Sequence, residues 1–214
     1  MLVSSFYIHL KRESFMEKRP IIGIFLDSET NGLDFLTHQL LEIAYIIVDL
    51  ETGKQLTCYE SVIKISKEQF DSSLPESLQI NHFTESEIEQ GKPLQQVAQE
   101  IIAEFEAFKV RRGSALFICQ NPSFDRSFFS SLIAPSIQES HQWPYHWLDL
   151  ASMYFAVKLK TKGVVALRKG GLSKDMIAGD LLLGPEKKPH RAMNGAKHLL
   201  ACYETLLGYP LANQ

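Results

Sequence analysis

Cysteine is scarce in this chain: Cys58, Cys119 and Cys202 are an odd three, lie far apart and form no C-x-x-C pair. Neither a disulfide framework nor a zinc cluster is expected from them, and such thiols behave mainly as small hydrophobes in a reducing compartment. An excess of positive charge is lacking too. Lys and Arg number 22 against 25 Asp and Glu, a formal net charge of −3, which argues against a protein that holds nucleic acid by a blanket of basic residues. An enzyme that grips one phosphate through bound cations and a local basic rim stays open. No apolar run approaches the roughly 18 residues of a membrane span. The start, Met1–Lys18, has a short apolar patch followed by mixed charge, the wrong order and length for a secretory signal. Internal repeats and low-complexity linkers are absent as well. The expectation is a cytoplasmic protein with no membrane contact. Residues 1–17 form an N-terminal extension, either a loose arm or the product of an early start codon, ahead of one domain over residues 18–214.

What is present suits one α/β domain. Hydrophobic residues make up 45% and charged residues 22% of the 214, enough to bury a sizeable core and too apolar for wholesale disorder. Ile21–Leu26 is a nearly unbroken apolar run ending at Asp27 and reads as a buried strand that delivers polar residues at its carboxyl end. Leu40–Leu50 and Leu56–Ile65 are two further strands. The short Glu51-Thr52-Gly53-Lys54 link between them predicts a hairpin, hence an opening antiparallel meander. Apolar residues from Leu94 to Phe108 recur at helical spacing. Then come a strand at Ala115–Cys119, a helix over Phe124–Ile133, a short strand ending at Trp147-Leu148, a helix over Leu150–Leu159 and a last helix from Met193 to Leu207. This alternating second half favours parallel pairing with helices on the sheet faces.

Three segments carry candidate chemistry. Asp27-Ser28-Glu29-Thr30-Asn31-Gly32-Leu33 places two carboxylates two residues apart at a strand end, where strand periodicity points both to one face. Anions paired in this way are costly unless a cation neutralises them, and all-oxygen ligands suit Mg²⁺ or Mn²⁺. Alone, the segment fits a polar turn built on Asn31-Gly32 as well. The second, Asn121-Pro122-Ser123-Phe124-Asp125, opens a helix, and an anion in a first helical turn is ordinarily a helix stabiliser. In the third, Pro189-His190-Arg191-Ala192, the imidazole has a reference pKa near 6.5 and could take a proton from water near neutral pH.

Taken as an ordered set, the Asp-x-Glu strand end, the Asn-x-x-Phe-Asp-x-x-Phe helix start and the late His-Arg-Ala resemble the DnaQ-like, or DEDDh, 3′–5′ exonuclease family. That family includes the proofreading subunit of bacterial DNA polymerase, ribonuclease T and oligoribonuclease. Leu41-Glu42-Ile43-Ala44 and Gly171-Leu172-Ser173 add to the likeness, which runs from about Ile21 to Tyr203. The resemblance implies an RNase H-like mixed five-stranded sheet, an antiparallel meander followed by parallel strands, flanked by helices. It implies a two-metal hydrolase of Mg²⁺ or Mn²⁺ in which Asp27, Glu29 and Asp125 hold the ions and His190 activates water. Thr30, Asn31, Leu33, Asn121 and Phe124 would meet the terminal nucleotide of a single-stranded DNA or RNA 3′ end. A homodimer or a polymerase partner would complete the assembly.

One position departs from the family. The fifth residue after the motif histidine is there a metal-binding aspartate and here it is Gly195. One metal is therefore expected to bind weakly, and a glycine costs a helix about 1 kcal/mol relative to Ala, so nothing in folding accounts for it. A catalytically degenerate nucleic-acid or polymerase binding module is the alternative that Gly195 favours. A further alternative, an aspartyl phosphatase with its nucleophile at Asp27, leaves the second and third segments unused. Lys158, Lys160, Lys162, Arg168, Lys169 and Lys174 fall in a stretch free of acids, which predicts either a phosphate-binding rim or a solvated helix end.

Overall fold

The computed structural model describes residues 21–163 and 171–209. The N-terminal extension, and Arg168 and Lys169 of the basic stretch, lie outside the described residues. Among these a five-stranded sheet runs in the order β3-β2-β1-β4-β5, with β1 Ile22–Thr30, β2 Leu40–Asp49, β3 Gln55–Val62, β4 Ala115–Cys119 and β5 Trp147–Asp149. The first three form the expected antiparallel meander, and β4 and β5 add in parallel beside β1. This is the mixed, helix-flanked RNase H-like sheet.

β1 is the central strand, and it is longer than its apolar run. Asp27, Ser28 and Glu29 still pair with Ala44, Ile43 and Glu42 of β2 before the register shifts at Thr30. Backbone pairing with β2 holds the polar tip in the ladder, which hydrophobic patterning of β1 alone does not reveal. β4 stops pairing with β1 at Phe25, so the last residues of β1 project past their parallel neighbour. A strand carboxyl end with one side unpaired is the usual place for ligands in an open α/β sheet.

Alternation along β1 sorts its side chains into two cores. Ile22, Ile24 and Leu26 face the helices Leu94–Ala107 and Pro122–Leu132 in a core rich in Phe and Trp. Phe25 faces the helices Leu150–Lys162, Lys174–Asp180 and Ala192–Leu207. By the same alternation Asp27 and Glu29 continue the Phe25 face and Ser28 turns to the other. The last helix begins where Ala192 N donates to buried Glu42 Oε2 at 2.7 Å, which satisfies one of the free N–H groups of its first turn. Glu42 of the Leu-Glu-Ile-Ala stretch thereby ties this helix to β2. Short helices at Lys67–Asp71, Pro75–Asn81, Glu85–Glu89 and Pro135–Ser140 are too brief for periodicity to announce.

Candidate functional site

A cavity of about 310 Å³ opens at the carboxyl end of β1, lined by Asp27, Ser28, Glu29, Ser173, Lys174, Asp175, Glu186 and His190. Two of the three predicted segments thus contribute wall residues directly. Asp125 from the second segment lies behind, fully enclosed, and its Oδ1 accepts the Ser28 hydroxyl at 2.6 Å. The helix Pro122–Leu132 is pinned by Phe128 and Phe129 in the first core, so Asp125 reaches the polar tip of β1 from one side while helix Ala192–Leu207 covers the other.

Sequence reasoning missed two residues here. Lys174 starts the short helix Lys174–Asp180 and sends its ammonium between two carboxylates, 3.0 Å from Asp27 Oδ1 and 2.7 Å from Glu186 Oε2. Far from forming a solvent rim, its side chain is only 13% exposed. Glu186 is 2% exposed and lies four residues before His190, whose Nδ1 is 3.5 Å from Glu186 Oε1. Its backbone N–H donates to Asp175 Oδ1 at 3.1 Å. Only that four-residue spacing from the histidine, and the closeness of Lys174 to the Gly171-Leu172-Ser173 stretch, were visible beforehand as signals.

Electrostatics set this group apart. Burial, with Asp27 and Glu186 charges adding to it, pushes Glu29 up to about 8. Burial and the Asp27 charge likewise push Asp125 up to about 8, against the Ser28 hydrogen bond. Burial raises Asp27 as well, although Lys174 opposes it. For Lys174, burial works to lower the pKa, and the Asp27 and Glu186 charges overcome it, leaving the ammonium held above its ordinary value. Carboxylates therefore outnumber the cations that could neutralise them.

Gly195 has a packing reason after all. A Cβ at this position would fall 1.9 Å from Asp27 Oδ2 and 2.4 Å from its Cγ. The bare helix backbone makes room for the Asp27 carboxyl, which Lys174 holds at Oδ1. The expectation that folding gives no cause for this glycine is corrected: the helix gives up propensity so that the last helix and the β1 carboxylate can share one space.

The expected substrate residues divide. Asn31 is buried, its amide donating to Gln69 O at 2.8 Å and accepting from Gln39 N at 2.6 Å. Thr30 is buried with its hydroxyl donating to Gly32 O at 2.7 Å. These polar groups shape the loop. Leu33 is 74% exposed beside it. Asn121 adopts a left-handed conformation with φ 57°, and its Oδ1 accepts the Ser123 hydroxyl at 2.7 Å. Phe124 packs against Phe128 with ring centroids 5.0 Å apart.

The described part of the basic stretch divides: Lys158 is buried and Lys174 half-buried, whereas Lys160 and Lys162 are exposed. Lys158 donates to Tyr154 Oη and lies 3.2 Å from Asp180, which Lys162 also approaches at 3.8 Å. Arg191 pairs with Glu87 at 2.6 Å and stacks over Phe83 at 3.9 Å. The predicted phosphate rim is accordingly corrected at Lys158 and Lys174, whose ammoniums are taken up by carboxylates, while exposed Lys160 and Lys162 fit the alternative of a solvated helix end. Among the described residues no helix is long and apolar enough to cross a membrane.

No protein-family model matches the sequence, and no curated protein does either. Solved structures do. The chain superposes on E. coli exonuclease I in complex with a dT13 oligonucleotide at TM-score 0.68 and 16% identity, over 86% of this chain and 41% of that one. The zinc-bound form of the E. coli exonuclease I–single-stranded DNA complex gives 0.67 and 17%, over 87% and 40%. A product-bound exonuclease I gives 0.67 and 15%, over 89% and 44%. The chain spans about two fifths of the length of the exonuclease I chains it matches. At this identity the likeness concerns architecture: over most of its length, this chain has the exonuclease fold seen in those structures.

Proposed function

We propose that the chain is a divalent-metal-dependent 3′–5′ exonuclease that acts on single-stranded ends. The observation that carries this reading is the surplus of carboxylate around Asp27: Asp125 is buried behind it, Glu29 and Glu186 stand beside it on the cavity wall, and Glu29 and Asp125 are both pushed up to about 8 by burial and neighbouring negative charge. Nothing in folding rewards such a cluster, and a cation is what removes its cost. The donors present fit an oxygen-rich site for Mg²⁺ or Mn²⁺, with Asp27, Glu29 and Asp125 as the residues that would hold it. Bound divalent cations supply charge stabilisation to the attacking and leaving oxygens of a phosphodiester. Ser28 orients Asp125 through its hydroxyl, and His190 brings an imidazole to the cavity wall. Exposed Leu33 offers an apolar surface for a terminal base. The oligonucleotide-bound state of the exonuclease I structures supports a single-stranded substrate.

The test is release of nucleotides from 5′-labelled single-stranded DNA and RNA by purified protein with Mn²⁺. The expected result is a ladder shortening from the 3′ end, lost on chelation and in Asp27→Asn. Which of the two labelled strands shortens decides the sugar.

A second reading, a non-catalytic binding module, is favoured by one specific contact, the Lys174 ammonium on Asp27. Retention of an intact labelled strand in a gel-shift assay, without shortening at any Mn²⁺ concentration, would select it.

A further inference from the structure

Glu186 lies in the segment before His190, and no family motif quoted above contains it. Its Oε1 is buried and accepts no hydrogen bond, with the His190 Nδ1 3.5 Å away, and it belongs to a residue lining the cavity. A carboxylate oxygen sealed from water without a donor is costly unless something at the site pairs with it. Glu29, Glu186 and His190 each offer one ligand atom, and these lie within 4.8 Å of one another. The other oxygen of Glu186 is already engaged by Lys174, which also holds Asp27.

The geometry points to a single divalent ion held by Glu29, Glu186 and His190, with the Lys174 ammonium supplying the second positive charge beside Asp27. The inference rests on the cation-dependent reading above and revises its ligands: Glu29 stays, His190 and Glu186 take the places given there to Asp27 and Asp125, and Glu186, from another segment, supplies the carboxylate that position 195 cannot carry. Gly195 and Lys174 are then two parts of one rearrangement. The helix backbone takes the space of a side chain at 195, Asp27 leans against it, and Lys174 neutralises Asp27 at Oδ1. His190 becomes a ligand in place of the proton acceptor that the resemblance implied. An imidazole donor favours Mn²⁺ or Zn²⁺ over Mg²⁺.

Titration of the metal-free, full-length protein with Mn²⁺ alone, followed by calorimetry, tests this without any turnover. Wild type is expected to take up one equivalent. Glu186→Gln and His190→Gln should each weaken uptake by at least about tenfold, since losing even an outer partner of a metal ligand typically costs 10–100-fold. Circular dichroism checks that both variants keep the fold. His190 is 30% exposed, so its variant carries the test if the buried Glu186 substitution unfolds. Wild-type affinity in both variants, two equivalents in wild type, or no uptake at all would overturn the inference. If Asp27→Asn and Asp125→Asn abolish uptake while Glu186→Gln leaves it intact, this ligand set fails and the exonuclease reading survives. If one equivalent binds through Glu186 and His190 but labelled strands stay whole, the ion site stands and the exonuclease reading falls.

Discussion

The sheet carries acidic groups at two places, and they are treated in opposite ways. Beside β2 and β3, Glu104 accepts hydroxyls from Tyr45 and Thr57, and Glu100 accepts from Tyr59, Lys92 and Gln96. Hydrogen bonds from Lys92, Gln96 and Tyr59 hold Glu100 down to about 2. At the tip of β1, Glu29 and Asp125 are pushed up to about 8. Glu100 stands partly in solvent with three donors, whereas Asp125 is buried with the Ser28 hydroxyl as its side-chain donor and has the Asp27 charge close by. Acidity alone therefore does not mark a site. Carboxylates crowded together away from water do, because folding alone gives no reason to gather them.

The comparison can be broken most severely through activity. Asp27→Asn is expected to lower Mn²⁺-dependent strand shortening by at least about tenfold, since even a partner beside the ligands of a metal site typically counts for 10–100-fold. Tyr59→Phe, at the satisfied cluster, should change it by less than about twofold, and parallel rate measurements on one labelled oligonucleotide check both. Equal effects would erase the contrast.

Gly195→Ala comes next. On an open helix the change would stabilise by about 1 kcal/mol, but the added carbon meets Asp27, and overpacking of this kind costs about 1–3 kcal/mol. Urea unfolding should therefore show a loss of stability, and a gain would mean that Asp27 swings away freely.

The two clusters also predict a pH signature. Glu29 and Asp125 have folded pKa values of about 8 against ordinary values of 4.5 and 3.8. The folded metal-free protein therefore binds more protons than the unfolded chain between about pH 4 and 8, so its stability falls as pH rises through that window. The melting temperature of chelated protein should drop from pH 5 to pH 8, and Asp125→Asn should flatten the drop. A rise over the same range would sink the account of a crowded cluster.

The smallest effect expected is Tyr45→Phe. It removes the hydroxyl donated to Glu104 and should cost about 1 kcal/mol in unfolding free energy, leaving strand shortening unchanged.

Much of the fold was legible because it rests on local patterns. The apolar runs of β1, β2 and β4, and the helical period from Leu94 onward, predict the meander and the parallel second half. The polar end of β1 was harder: Asp27 to Glu29 stay in the ladder only because Ala44, Ile43 and Glu42 pair with them. The candidate site was legible at Asp27, Glu29 and His190, which carry an ordered motif and line one cavity. Lys174 was read as part of a basic stretch, since a charge run looks the same whether it meets water or carboxylates. Glu186 had no motif at all, and its partner Lys174 is 12 residues away by number, across a segment that folds back.

By itself, then, the sequence determined the order of the strands and the longer helices and the presence of carboxylates at a strand end, because both follow from periodicity and near-neighbour chemistry. Only the tertiary structure decided what surrounds those carboxylates. A lysine from one short helix, a glutamate from a loop and a glycine on the last helix meet at Asp27. Their effect on one another is electrostatic and steric, acting through space between segments far apart in the chain, and no local pattern encodes that distance.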